Sequence, residues 1–422
     1  MAKWPGLRSQ LLTKRMKNKQ HRTIILVLGA LAALGPFAID MYLPGFPAIA
    51  KDLNTDIAHV ALSLTSYFFG IAVGQLIYGP LIDRFGRKKP LVIGLSIFVL
   101  AALGCALAPS VEWLIGLRLL LALGGCVGMV ASRAMVRDLF PIKDIPNVFS
   151  TLMLVMGVAP IIAPTIGGYV TATFGWHAIF IVLAIIAAAV LFAVARLLPE
   201  SKGPDASISL KPQAILRDFT SVLKERSFLT YAVASSLAQA GLFAYISGSP
   251  FVFMEYFGLS DKMYGIAFAM NAAGYITGSQ FNRLLLRRQT SKQIALKVGV
   301  IQFIAAIVLL FGSLSGNLTA VGTLILLFSF MFSLGIINPN ATALAMAPFN
   351  KNAGSASAIL GSLQMGTGAL ASAAVSYLHN RTLLPMTGVM ALVTTLSLLI
   401  LGSYHFYTRR NYATTQLCEA KA

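Results

Sequence analysis

The sequence predicts an all-α membrane protein with twelve transmembrane helices in two pseudo-symmetric six-helix bundles. Three observations carry that expectation. The chain of 422 residues is 57% hydrophobic and only 11% charged, whereas a soluble domain carries roughly a quarter charged residues. Twelve apolar stretches each approach the twenty or so residues that a helix needs to cross a hydrocarbon core. The longest polar stretch, 198–227, holds Pro199, Pro204 and Pro212 and divides those stretches six and six.

The composition excludes a disordered chain, a disulfide scaffold and an ordinary soluble enzyme. Cys105, Cys126 and Cys418 are too few for a disulfide framework and read as free thiols. A net charge of +19 first suggests nucleic acid. Apolar runs separate the basic residues, however, so no continuous basic face exists and no nucleic-acid partner is expected.

The elements follow in order. Residues 1–22 form a basic terminus, and no small-residue cleavage site follows the first apolar stretch, 24–43, which therefore reads as a retained span. The first half continues with 60–82, 90–108, 113–135, 148–171 and 176–197. The second half has 228–250, 263–286, 293–314, 319–341, 354–377 and 385–406. The expected organisation is a bundle over 23–197, a linker over 198–227, a bundle over 228–406 and a tail over 407–422.

Basic residues choose the orientation. Of the 33 Lys and Arg residues, Lys51, Lys262 and Arg381 fall in one set of loops and Arg118 in the membrane interior. The rest lie at the termini, in the opposite loops or near the span ends beside them. Both termini are therefore expected in the cytoplasm.

Asp40 is the acid set well inside an apolar run, Pro36-Phe37-Ala38-Ile39-Asp40-Met41-Tyr42-Leu43-Pro44. A carboxylate taken out of water resists ionisation, which makes its proton exchangeable near neutral pH. The two prolines bend the helix and free backbone groups around it. Asp40 reads either as a proton-binding group in a water-filled cavity or as a solvated helix end. Arg118, five residues into the fourth span, keeps its charge; it either acts on a carboxylate or substrate, or snorkels to the outer interface. Arg133, near the other end of that span, reads as snorkelling.

His21, His59, His177, His379 and His405 show no metal-ligand spacing, so no metal is expected. No Ser/His/Asp or Cys/His set shares a depth, and the sequence gives no positive case for an enzyme. Phe37, Tyr42, Tyr67, Phe68, Tyr245 and Phe251 are candidates to line an apolar pocket for a small hydrophobic substrate.

Two blocks carry further information. After the second span stands Gly79-Pro80-Leu81-Ile82-Asp83-Arg84-Phe85-Gly86-Arg87-Lys88-Lys89. Gly79 is expected to let helices approach, and Asp83 to pair with Arg84, Arg87 or a neighbouring helix N-terminus. A fainter echo, Gly278 with Asn282-Arg283, follows the eighth span. The fifth span holds Gly157, Pro160, Pro164, Gly167 and Gly168, a bent helix with a small-residue face for tight packing.

The first block closely resembles the loop signature of the major facilitator superfamily. The second resembles the antiporter signature of drug/proton exchangers, with Ala163 where a glycine is usual. With Asp40-Met41-Tyr42-Leu43-Pro44 and Gly175-Trp176-His177-Ala178-Ile179-Phe180, the chain resembles the bicyclomycin/chloramphenicol-resistance group of that superfamily. The resemblance implies the major facilitator fold and a monomeric proton-coupled antiporter of a bacterial inner membrane, powered by the proton gradient without a cofactor. It makes Asp40 the titrating acid and Arg118 its fourth-span partner. It makes Gly79, Asp83, Arg84, Gly86, Arg87 and Lys88 a conformational latch against the start of the eleventh helix near Gly354-Ser355. Asp138 joins that latch through Arg84 or Arg87. The chain departs from the family at Leu121-Ala122, where Gln-Gly is usual, and at Ala32, where some relatives carry a second carboxylate. The alternative reading is an exporter of an endogenous small metabolite, favoured by the second-half amides Gln239, Asn271, Gln302, Asn338, Asn340 and Gln364.

Overall fold

The computed structural model describes residues 5–141, 144–205, 210–349 and 353–419. Residues 1–4 and 420–422, the ends of the expected terminus and tail, lie outside that set. Among the described residues every regular element is helical. The first half comprises α1 (Pro5–Asp40), the short α2 (Phe46–Asp52), α3 (Ile57–Phe85), α4 (Lys88–Ala106), α5 (Val111–Leu139), α6 (Ile145–Phe174) and α7 (His177–Leu197). After α8 (Pro212–Leu223) come α9 (Arg226–Pro250), α10 (Asp261–Leu285), α11 (Ser291–Ser315), α12 (Ala320–Met346), α13 (Ala353–Tyr377) and α14 (Leu384–Glu419).

Inner helix ends fall within a few residues of the apolar stretches, because polar caps stand where hydropathy drops. Asp56 Oδ1 accepts the His59 N–H at 2.7 Å to open α3, and Thr290 forms a capping box with Gln293 to open α11. The outermost ends differ. α1 starts at Pro5 and α14 runs to Glu419, so most of the basic terminus and of the tail continue the helices instead of hanging as polar appendages. Hydropathy marks where a helix enters the membrane and is silent on where the helix stops. The linker likewise contains α8, whose Val222 is buried beside Phe228 and Ala356.

Eleven helices among the described residues are long and apolar enough to cross a membrane. α10 takes the remaining place, with a more polar sequence. Its Asn271 and Asn282 are buried against the bundle, where Asn271 Nδ2 donates to Tyr245 and Asn282 Oδ1 accepts from Asn340, so these amides face protein and not lipid.

The packing shows the internal symmetry. In the first half α3 packs on α5, α4 on α5 and α7, and α1 on α6. The second half repeats this with α10 on α12, α11 on α12 and α14, and α9 on α13. The halves meet through α3 with α13 and α6 with α10, contacts that exchange into each other when the halves are swapped.

His21 at the membrane-entry part of α1 touches Phe140 just past the end of α5, ring centroids 5.2 Å apart. Those ends, the Gly86 turn and the linker form one face of the molecule, the terminal face. The opposite face holds α2 and the turns after α9 and α13.

Candidate functional site

Asp40 is the last residue of α1, with Pro36 inside that helix and Pro44 in the 3-10 turn that follows. It is buried, and among the described residues it has no ion-pair partner. Its carboxylate is close enough to Tyr67, Tyr245 and Tyr264 for its charge to act on each hydroxyl. Tyr245 and Tyr264 belong to the second half, so Asp40 sits where the halves meet.

Arg118 is completely buried, which excludes snorkelling. Its Nη1 donates to the Ala38 carbonyl at 2.8 Å. The guanidinium lies 4.6 Å from the Tyr42 ring centroid and 4.4 Å from that of Tyr67, two cation–π contacts in a dry setting. Nε and Nη2 have no partner among the described residues. Tyr42 donates to Ser63 Oγ at 2.9 Å, because the Ser63 hydrogen goes to the Val60 carbonyl. Arg133 also departs from expectation: it is half-buried and lines a cavity between the halves.

The aromatic candidates do not surround an open pocket. Tyr42, Tyr67, Phe68, Tyr245 and Phe251 are all buried, and Phe37 is half-buried. Tyr42 packs on Phe46 and Phe180, Tyr245 stacks on Phe268, and Phe68 meets Phe243 of the other half with centroids 4.5 Å apart. Phe251 borders a crevice of about 20 Å³ on the face opposite the termini, room for a water molecule at most. Their packing fills the closed side of the molecule.

The fifth-span block contributes to that closure. A Cβ on Gly167 would overlap the Met41 carbonyl, so only glycine permits α6 to lie this close to the end of α1. Gly168 lies against the Asp261 backbone and Pro44, Gly265 faces Pro164 and Thr165, and Gly157 faces Ile276. Pro160 is half-buried on the same helix. On the second inter-half contact Thr65 Oγ1 and Ser372 Oγ are 2.8 Å apart, and Gln75 abuts Gly361.

Toward the termini the halves separate. A cavity of about 560 Å³ lies between Asp83, Arg133 and Asp138 on one wall and Asp218, Gly354 and Ser355 on the other. The structure is thus open toward the terminal face and closed at the other. Gly79 faces this cavity with nothing against it, so it does not mediate a close helix contact here. Gly278 in the echo packs on the Phe332 carbonyl instead, and the two glycines do different work.

Gly86 turns the chain with φ of +83°, a conformation that favours glycine. Arg87 then folds back, buried, donating to Asp83 and through Nε to Asp138 at 2.9 Å. Burial works against its charge, but the hydrogen bonds and charges of Asp83 and Asp138 outweigh this and hold its pKa above the ordinary guanidinium value. Of the pairings open to the sequence, Arg87 is the one seen for both acids. Arg84 contributes its carbonyl to the Asp205 N–H at 3.1 Å.

Sequence reasoning missed the linker's part. Glu200 accepts from the Arg87 N–H at 2.7 Å and the Lys88 N–H at 3.1 Å, capping α4, while Lys88 Nζ donates to the Leu198 carbonyl at 3.0 Å. Ser201 donates to Asp138 at 3.0 Å. The available signal was an acid directly after a span end, facing a basic loop more than a hundred residues away.

Comparison with known proteins agrees with this architecture. The family model for the Major Facilitator Superfamily matches residues 26–373. An uncharacterised MFS-type transporter of Bacillus subtilis strain 168, YdgK, is 36% identical over 400 residues, covering 92% of this chain and 96% of the relative. A bicyclomycin resistance protein homolog of Haemophilus influenzae is 34% identical over 402 residues, covering 93% and 98%. The crystal structure of a D-xylose–proton symporter superposes with a TM-score of 0.70 at 16% identity, covering 90% of this chain and 96% of that one, a likeness of fold alone. The chain is a multi-pass membrane transporter and belongs to the major facilitator superfamily.

Proposed function

We propose that this transporter is a proton-coupled antiporter that exports hydrophobic drugs or antibiotics of the bicyclomycin or chloramphenicol kind from the cytoplasm. It works as a monomer in a bacterial inner membrane, with the terminal face cytoplasmic and the proton gradient as its energy source. The bundles over 23–197 and 228–406 rock about the substrate, joined by the linker over 198–227. Asp40 carries the reading: it is the one buried acid among the described residues, at the junction of the halves and without a paired cation. The name of the Haemophilus influenzae relative supports the substrate class.

In this scheme, opening the outer face wets Asp40, which takes a proton and favours release of the drug there. Return to the open terminal face lets the proton leave, and drug binding and deprotonation favour each other. In this scheme Arg118 acts on Asp40 by holding the end of α1, since its Nη1 binds the Ala38 carbonyl two residues before the acid. One pH unit supplies about 1.4 kcal/mol, and 100 mV about 2.3 kcal/mol per charge moved. One proton therefore sustains tens- to hundreds-fold accumulation. In the latch, Asp83 holds Arg87 while the terminal face is open and turns to the Gly354–Ser355 end of α13 when it closes.

Asp40→Asn tests the scheme in a pump-deleted host and in everted vesicles. Export against a drug panel is expected to fall to background with expression intact, and an uncoupler is expected to do the same to the natural protein. Unchanged export by the variant would reject proton coupling at Asp40.

A further inference from the structure

The second half contains a set of neutral polar groups outside the Asp40 centre. Asn338 on α12 donates through Nδ2 to Gln239 Oε1 of α9 at 3.1 Å and to the Tyr275 hydroxyl oxygen of α10 at 3.0 Å. Gln364 Nε2 of α13 donates to Asn338 Oδ1 at 3.4 Å. Four helices thus turn one polar side chain each toward a common point inside the bundle.

All four residues are only half-buried. Side chains that bond one another across four helices face the bundle interior, so their remaining exposure is to internal space and not to lipid. Each lies about eight to thirteen residues from the terminal-face end of its helix, roughly 12–20 Å along it. Gln364 is six residues beyond Ala358, which lines the large cavity, so the cluster lies about 9 Å deeper along α13.

The cluster keeps unused valence. Asn338 spends its donors, but the Gln239 amide N–H₂ has no partner among the described residues. Tyr275 accepts from Asn338 and keeps its O–H free to donate. Gln364 retains its carbonyl oxygen as an acceptor. Spare donors stand beside a spare acceptor, with no formal charge on any member. An ion brought here would lose hydration without a countercharge, whereas a carbonyl, amide N–H or hydroxyl would find partners.

We propose that Gln239, Tyr275, Asn338 and Gln364 form the subsite that recognises the exported compound, and that they select a neutral solute bearing amide or hydroxyl groups. This rests on the export reading above and narrows its substrate class. A purely hydrophobic compound leaves the freed polar groups unpaired, and a lipophilic cation gains nothing from the cluster. Recognition by such groups discriminates far more sharply than an apolar pocket does.

The test uses the full chain in lipid nanodiscs, with Cys105, Cys126 and Cys418 replaced by Ser and Thr342→Cys introduced one turn from Asn338 on α12. A water-soluble methanethiosulfonate reagent is expected to label the introduced thiol. Chloramphenicol, other neutral amide- or polyol-bearing compounds, and tetraphenylphosphonium are then compared as protectants. At least one neutral polar compound is expected to slow labelling several-fold, with tetraphenylphosphonium without effect. In the otherwise natural chain, Gln239→Leu and Asn338→Leu are each expected to weaken that compound's binding roughly tenfold and leave the melting temperature within a few degrees.

An unlabelled thiol, protection by tetraphenylphosphonium alone, no protection by any neutral compound, or unchanged affinity in both leucine variants would overturn the subsite. Asp40-dependent export of tetraphenylphosphonium together with any of these results rejects the subsite and keeps the antiporter. Export indifferent to Asp40→Asn rejects the antiporter whatever the neutral compounds do.

Discussion

The two halves share helix order and packing and differ in what they bury. The first half holds formal charge in its interior, Asp40 without a paired cation and Arg118 with two unpaired nitrogens. The second half buries neutral groups, some of them paired, as in Asn340 Nδ2 to Asn282 Oδ1 and Asn271 Nδ2 to the Tyr245 hydroxyl at 3.0 Å, and some, such as Asn271 Oδ1, without a partner among the described residues. A hydrogen-bonded amide costs far less to bury than a charge. The same fold therefore carries an expensive half and an inexpensive one. On the function proposed here, energy enters through the first and recognition resides in the second.

Arg118→Leu puts the largest strain on that division. A buried guanidinium with unused donors contributes little to stability and can be replaced by an apolar group at no loss. The variant is expected to melt at or above the natural temperature while export falls at least a hundredfold, on the scale of Asp40→Asn. Normal export, or a collapsed fold, would show that the charge is not kept for coupling.

Arg87→Ala should have an intermediate effect. It leaves Asp138 and the more exposed Asp83 without their shared cation, at a cost of about 1–2 kcal/mol once the exposure of Asp83 is allowed for. Export is expected to drop several-fold, and Arg87→Lys to recover only part of it, because one ammonium reproduces the fork to two carboxylates poorly. Equal behaviour of Ala and Lys would remove the latch from the cycle.

The smallest effect belongs to the second half. Asn282→Leu and Asn340→Leu should each lower stability by about 1 kcal/mol by leaving an amide short of a partner. The double variant should recover most of that loss, since removing both partners is nearly neutral. Thermal melts of the four proteins give the coupling directly. Export is expected to be unchanged throughout, and a large loss would extend the functional region of the second half beyond the four-residue cluster.

Much of this protein was legible in one dimension. Apolar length set the spans, because a helix must cover the bilayer. Asp40 stood out because a charge in such a run has no local compensation. The Gly79–Lys89 block offered Asp83 and left Arg84 and Arg87 as equal partners for it, since both lie within reach in sequence. Other features were not legible. The depth of Arg118 suited either a snorkelling or an inward side chain, and only the Ala38 carbonyl and the rings of Tyr42 and Tyr67 determine which. The six aromatics looked like a pocket lining because residue type does not say which side of the molecule is closed.

The sequence by itself determined the number of spans, the charge asymmetry between the two sets of loops and the one acid the membrane must accommodate. These follow from hydropathy and charge, which each segment carries independently of the others. Only the tertiary structure decided that Glu200 docks on the Arg87 turn, that Gly167 brings α6 onto the end of α1, and that three amides and a tyrosine from four helices meet. Those depend on the rotation and depth of each helix against its neighbours. Helix packing fixes both, and no single segment encodes them.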